Sequence, residues 1–172
     1  MKKAVVCIVA TQPQAEALVT DLEAMGFPRT DISVLFPNRQ DTRGFALENH
    51  TKAPEGAIAG VSAGGVVGGT FGLLAGIGAL AIPGLGPFIA AGPLMAALSG
   101  AAAGAAVGGI TGALVGMGIP EYEAKTYEGK VKSGGILVAV HTDNLEERKR
   151  AEAIFRRRGA HDIATATEVA RY

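Results

Sequence analysis

Tryptophan is missing from this 172-residue chain, cysteine occurs once and histidine three times. A single Cys7 rules out an internal disulfide and fits a reducing compartment. Three scattered histidines, His50, His141 and His161, form no pair with metal-ligand spacing, so no metal site is expected. Aromatic residues make up 5% of the chain, and Lys+Arg balances Asp+Glu at 16 each. That leaves neither a stacking platform nor a basic field, and no nucleic-acid partner is expected. The largest absence lies in the middle. From Gly56 to Pro120, 65 consecutive residues contain no Asp, Glu, Lys or Arg. An apolar segment without ionisable groups argues against a pump or transporter, whose proton and ion paths need them.

What fills that stretch is glycine, with 19 of the chain's 25. Gly56, Gly60, Gly64, Gly68, Gly72 and Gly76 recur at intervals of four, and so do Gly100, Gly104, Gly108, Gly112 and Gly116. This spacing places glycines along one ridge of an α-helix, where a second backbone can approach closely. In water each glycine costs a helix about 0.8–1 kcal/mol against alanine; in lipid the helix is enforced and glycine becomes a packing device. Gly56 to Ile82 spans about 40 Å as a helix, enough for a hydrocarbon core of about 30 Å. Phe88 to Ile119 is longer still, and Pro83, Gly84, Gly86, Pro87 and Pro93 break the path between. The expectation is a glycine-zipper transmembrane-type hairpin over residues 55–120, with a soluble self-packed hairpin as the alternative. Arg39, Arg43 and Lys52 flank one end and Lys125, Lys130 and Lys132 the other. Both termini are therefore expected on the cytoplasmic side of the cytoplasmic membrane.

The flanking segments repeat one another. Ala4–Ala10 reads as a strand, followed by a helix capped by Thr11 with Gln14. Ala15, Leu18, Val19, Leu22 and Met25 give that helix one apolar stripe. Gly26 ends it, and Asp31 leads into a strand from Ile32 to Phe36. A polar connector completes residues 1–54. In residues 121–172, a short helix with Tyr122, Tyr127 and Val131 precedes a third strand, Ile136–His141. Asp143 with Glu146 then offers a second capping box, Ile154 and Phe155 an apolar side, Gly159 a stop, and Ile163–Ala166 a fourth strand. Two β-α-β units in tandem predict an α+β, ferredoxin-like domain with helices on one face and the zipper hairpin inserted between its halves. The first strand should lie beside the third.

On Gly26-Phe27, Asp31-Ile32-Ser33-Val34 and the capped helix before them, the chain resembles the heat-induced general stress proteins, the YflT-like group. The two glycine runs are similar to those of glycine-zipper membrane proteins. The layout also resembles the membrane-anchored ferredoxin-like subunit of alternative quinone-linked complexes. None of these resemblances implies a catalytic or cofactor-binding residue. His141 beside Asp143 is the best remaining candidate for chemistry, and a structural histidine near a helix cap explains it more simply. Arg156, Arg157 and Arg158 suit a helix C-terminus and offer contact with anionic lipid heads. The function expected is therefore non-enzymatic and cofactor-free: a membrane-anchored, stress-associated homo-oligomer assembled through the zipper glycines. A self-assembling particle, filament or shell and an accessory subunit of a membrane complex are the alternatives.

Overall fold

The computed structural model describes residues 3–37, 78–82, 86–94 and 105–165. In chain order these form β1 (Lys3–Val9), α1 (Gln12–Ala24), a 3₁₀ turn (Arg29–Asp31), β2 (Ile32–Pro37), β3 (Gly78–Ile82) and β4 (Gly86–Ala91). Then come α2 (Ala105–Gly116), α3 (Glu121–Lys132), β5 (Ile136–Thr142), α4 (Leu145–Arg157) and β6 (His161–Thr165). The strands build one antiparallel sheet in the order β3-β4-β2-β5-β1-β6. Its β2-β5-β1-β6 portion is compatible with a ferredoxin-like fold. As expected, β1 lies beside β5, with Val6 opposite Ala139 and Val9 opposite Ile136.

Each of the six positions from Ala4 to Val9 is buried, because the sheet is covered on both sides. Val5, Cys7 and Val9 meet Leu18, Val19 and Leu22 of α1 and Ile154 and Phe155 of α4 in one core. Ala4, Val6 and Ile8 belong to a second core with Ile110, Ala113 and Leu114 of α2 and Ala124, Tyr127 and Val131 of α3. The helices of the two β-α-β units share one face as expected, and α2 and α3 cover the other, because a β-branched strand with no polar side needs two apolar layers. Tyr127 and Val131 are buried as expected, whereas Tyr122 on the first turn of α3 is 83% exposed.

The helix ends follow local chemistry. Thr11 Oγ1 accepts from the Gln14 backbone N–H at 3.4 Å, and Gln14 Oε1 accepts from Ala10 N–H at 3.2 Å. On α4 the box falls one residue later than predicted. Asn144 Oδ1 accepts from Glu147 N–H at 2.9 Å, and Glu147 Oε2 accepts from Asp143 N–H at 2.7 Å. Arg150 lies over the Phe27 ring at 5.8 Å. Arg158 grips Asp21 of α1 with both arms, Nε at 2.6 Å and Nη2 at 2.8 Å.

Two further corrections concern the predicted zipper hairpin. Residues 78–82 and 86–91, expected as a helix end, a loop and a helix start, are the strands β3 and β4. Phe88–Ala91 pairs with Val34–Pro37 of β2, and Gly78–Ile82 pairs in turn with Gly86–Ala90. Residues 105–116 are helical, but they lie on the sheet. Among the described residues no helix is long and apolar enough to cross a membrane. The whole first glycine run, Gly56 to Gly76, lies outside the described residues.

Gly92 shows how tightly the hairpin docks. Its φ is +78°, and a Cβ built there would sit 2.0 Å from the Ile32 carbonyl oxygen. Two positions beyond, the Leu94 N–H donates to the buried Ser33 Oγ at 3.0 Å. Gly92→Ala should cost about 2–4 kcal/mol in urea unfolding, by steric overlap and left-handed strain together. Gly129→Ala, in α3 with open space around it, should instead gain about 0.8–1 kcal/mol.

The Asp21 contact predicts a pH dependence. Hydrogen bonding from Arg158 holds this carboxyl below its ordinary value of 3.8. A depressed folded-state pKa means the contact contributes fully above about pH 4 and is lost as pH falls through the lower folded value. In denaturation series, the stability gap between wild type and Asp21→Asn should be present near neutrality and close as pH falls below about 4.

Candidate functional site

α2 carries the described part of the second glycine run. Ile110, Ala113 and Leu114 point into the second core, each at most 5% exposed. With 3.6 residues per turn, the opposite side of the helix is then formed by Gly112, Val115 and Gly116. All three are exposed, Val115 by 44%. A Cβ built on Gly116 would meet nothing within 4 Å. Among the described residues nothing packs closely on Gly116, and Gly112 is exposed beside it. They form an outward ridge.

The ridge is not continuous with the glycines before it. At Gly109 the backbone turns to φ 50° and ψ −138°, dividing α2 into two pieces, with Gly108 on the far side of the break. Restarting a helix leaves its first N–H groups without intrahelical acceptors. Glu128 of α3 supplies one: its Oε2 accepts from Thr111 N–H at 2.8 Å and from Thr111 Oγ1 at 2.6 Å. A cap delivered from another helix both terminates the orphan donors and sets the direction in which the ridge faces. Gly56, Gly60, Gly64, Gly68, Gly72, Gly76, Gly100 and Gly104 lie outside the described residues.

A second locus lies at the opposite end of the sheet. Val6 pairs with Ala164 but Ile8 with His161, so β6 carries one extra residue there. Asp162 occupies that bulge at φ 53°, a conformation glycine normally takes. Two side chains of α3 hold it: Tyr127 OH donates to the Asp162 carbonyl, and Lys130 Nζ pairs with its carboxylate. Lys130, Ser133, Gly135, His161 and Asp162 border a cavity of about 370 Å³. Sequence pattern matched Asp162-Ile163 to Asp31-Ile32 as a plain strand start. Nothing in that pattern distinguishes the 3₁₀ turn ending at Asp31 from the bulge at Asp162, since the difference is made by the register of β1.

The remaining candidates carry no assembled chemistry. Cys7 is buried, and burial pushes its thiol up. Burial likewise raises the Tyr127 hydroxyl. His141 Nδ1 is buried without a hydrogen-bond partner among the described residues. Its predicted companion Asp143 lies on the exposed turn before α4, with its backbone N–H committed to Glu147. Among the described residues no three His, Cys, Asp or Glu side chains are grouped to hold a metal. Arg156 pairs with Glu152 at 3.3 Å, while Arg157 and Arg158 both reach Asp21. All three arginines thus hold carboxylates of this chain. Sequence reasoning missed Glu128, whose partner becomes visible only when α2 and α3 are side by side.

Comparison with family models, with curated proteins and with solved structures returned no match.

Glu128→Ala removes a charged acceptor shared by two donors of Thr111. It should lower stability by about 1–2 kcal/mol and raise the exchange rate of the Thr111 amide, read by hydrogen exchange.

Proposed function

We propose that this protein is non-enzymatic and works by associating with copies of itself through its glycine ridge. The observation that carries this reading is the outward position of Gly112, Val115 and Gly116 on a helix whose other side is fully buried. An exposed helical glycine costs about 0.8–1 kcal/mol against alanine, and among the described residues no group packs on Gly116 to offset it. A second backbone packed on the ridge offsets it, because only glycine permits that approach. The ferredoxin-like portion is then the platform that presents the ridge, and the first glycine run, Gly56 to Gly76, repeats the same period of four in the sequence. Association with stress rests on the resemblance of Gly26-Phe27 and Asp31-Ile32-Ser33-Val34 to the general stress proteins.

Membrane attachment is part of the proposal. Its support is the uncharged stretch from Gly56 to Ile77, preceded by Arg39, Arg43 and Lys52. β2 and β3 belong to one sheet, so the chain between them returns to the side it left. An uncharged stretch of 22 residues is about one span long, so a path that returns favours contact from the cytoplasmic face over a two-span hairpin. A second reading, a water-soluble particle, is favoured by the β-hairpin that stands where a helical hairpin was expected.

Gly116→Leu and Gly112→Leu should leave the fold intact, because both positions are exposed, yet reduce the native mass of the purified protein toward the monomer. Unchanged mass in both variants would remove the ridge as the contact surface. Recovery in the carbonate-soluble fraction would select the particle, and recovery only with detergent the membrane-attached form.

A further inference from the structure

Beside the bulge of β6 lies a cavity bordered by three ionisable side chains, Lys130, His161 and Asp162. Consecutive residues of a regular strand point to opposite faces. Here the extra residue brings both His161 and Asp162 to one cavity of about 370 Å³, a size within the range of small-molecule sites, about 300–1,000 Å³. The other walls are the end of β1, Ile8 to Ala10, and the turn from Ser133 to Gly135. A Cβ on Gly135 would come within 2.9 Å of the Lys130 carbonyl oxygen and 3.1 Å of Ile8 Cγ2, so these walls are fixed against each other. Asp162 keeps a left-handed backbone, φ 53°. Non-glycine residues held in such conformations cluster at ligand clamps and binding sites, and bulges re-aim side chains beside them. Glycine would satisfy this backbone; the aspartate adds a carboxylate, and Lys130 and Tyr127 of α3 hold it in place.

We propose that this cavity binds a small zwitterion, an α-amino acid with an apolar side chain. The ligand's ammonium group donates to the Asp162 carboxylate, which can accept more bonds than the one from Lys130. Its carboxylate accepts from the remaining donors of the Lys130 ammonium and from the ring N–H of His161. Lys130 and Asp162 cancel in charge, so a ligand without net charge matches the site. A simple anion or a simple cation would instead meet one group of its own sign. Beyond these groups the walls offer Ile8, Val9 and Ala10 and no further charged side chain, which suits an aliphatic side chain on the ligand. The site uses none of Gly112, Val115 and Gly116, so it stands or falls separately from self-association.

The test titrates the full chain with L-leucine, read by backbone amide shifts in heteronuclear NMR. Two further probes each lack one group: isocaproate has no ammonium, and isoamylamine has no carboxylate. The expected result is saturable shifts at Gly134, Gly135, His161 and Asp162 with a dissociation constant of about 1 mM or tighter. Either single-group probe should bind about tenfold more weakly, or weaker still. Asp162→Gly keeps the left-handed backbone and removes the carboxylate. It should weaken leucine binding about tenfold or more, with the far-UV circular dichroism unchanged. Lys130→Met, which keeps the stem without the charge, should do the same. Absence of saturable shifts in the wild type overturns the proposal and leaves the bulge as a structural clasp. Equal binding of leucine and either probe also overturns it, as does leucine binding retained in full by a folded Asp162→Gly variant. If neither variant folds, the comparison of the three compounds on the wild type decides.

Discussion

Burial of β1 and β5 on both faces is the constraint on which the rest of the structure depends. Seven residues at the start of the chain pair with seven that begin at Ile136, and neither strand has a polar side to give to water. Thr142 is buried at the end of β5, with its hydroxyl donating to the Lys3 carbonyl at 2.8 Å. Such a pair is stable only with an apolar layer above and another below. α1 and α4 make one layer from the two β-α-β units. The other must come from elsewhere, and it comes from the segment between the units. This is why α2, rich in glycine and alanine, and α3 lie on the sheet.

That role explains the uneven use of side chains in α2. Its inward positions, Ile110, Ala113 and Leu114, do the packing expected of any core helix, and burying a residue such as Leu114 contributes about 1.5–3 kcal/mol. Its outward positions are small. Within a few residues the same run of sequence serves a core and a surface, and Gly109 with Glu128 sets the junction between its two pieces. The Asp162 bulge does comparable work at the far edge. There α3 reaches past the sheet through Tyr127 and Lys130 and holds β6 in a conformation its backbone alone would not keep.

The outer elements were legible because their signals are local. Thr11 with Gln14, Gly26 before Phe27, and the stripe from Ala15 to Leu22 each depend on residues within one or two turns. They place α1 and its strands without knowledge of anything distant. The repeat of that pattern after Ile136 gave the strand order of the ferredoxin-like portion, since a β-α-β pair has few ways to close. The cap of α4 slipped by one residue because Asp143 and Asn144 are chemically equivalent as caps. Register then decides between them: Thr142 is the last residue of β5 to pair with β1, which leaves Asn144 in the extended cap geometry.

The middle of the chain was not legible in the same way. Gly and Ala carry no strand or helix periodicity of their own, so residues 78–91 satisfied a helical template as well as any other. What made them strands was the open edge of β2, whose Val34–Pro37 offered backbone partners that a helix could not use. By itself the sequence determined the two β-α-β units, the pairing of β1 with β5 and the period-four glycine spacing, all consequences of short-range chemistry and steric size. Only the tertiary structure decided the second helical layer, the β3–β4 hairpin, the Glu128 cap and the Asp162 bulge. Each of these is a contact between groups far apart in the chain, and its free energy exists only once the sheet has brought them together.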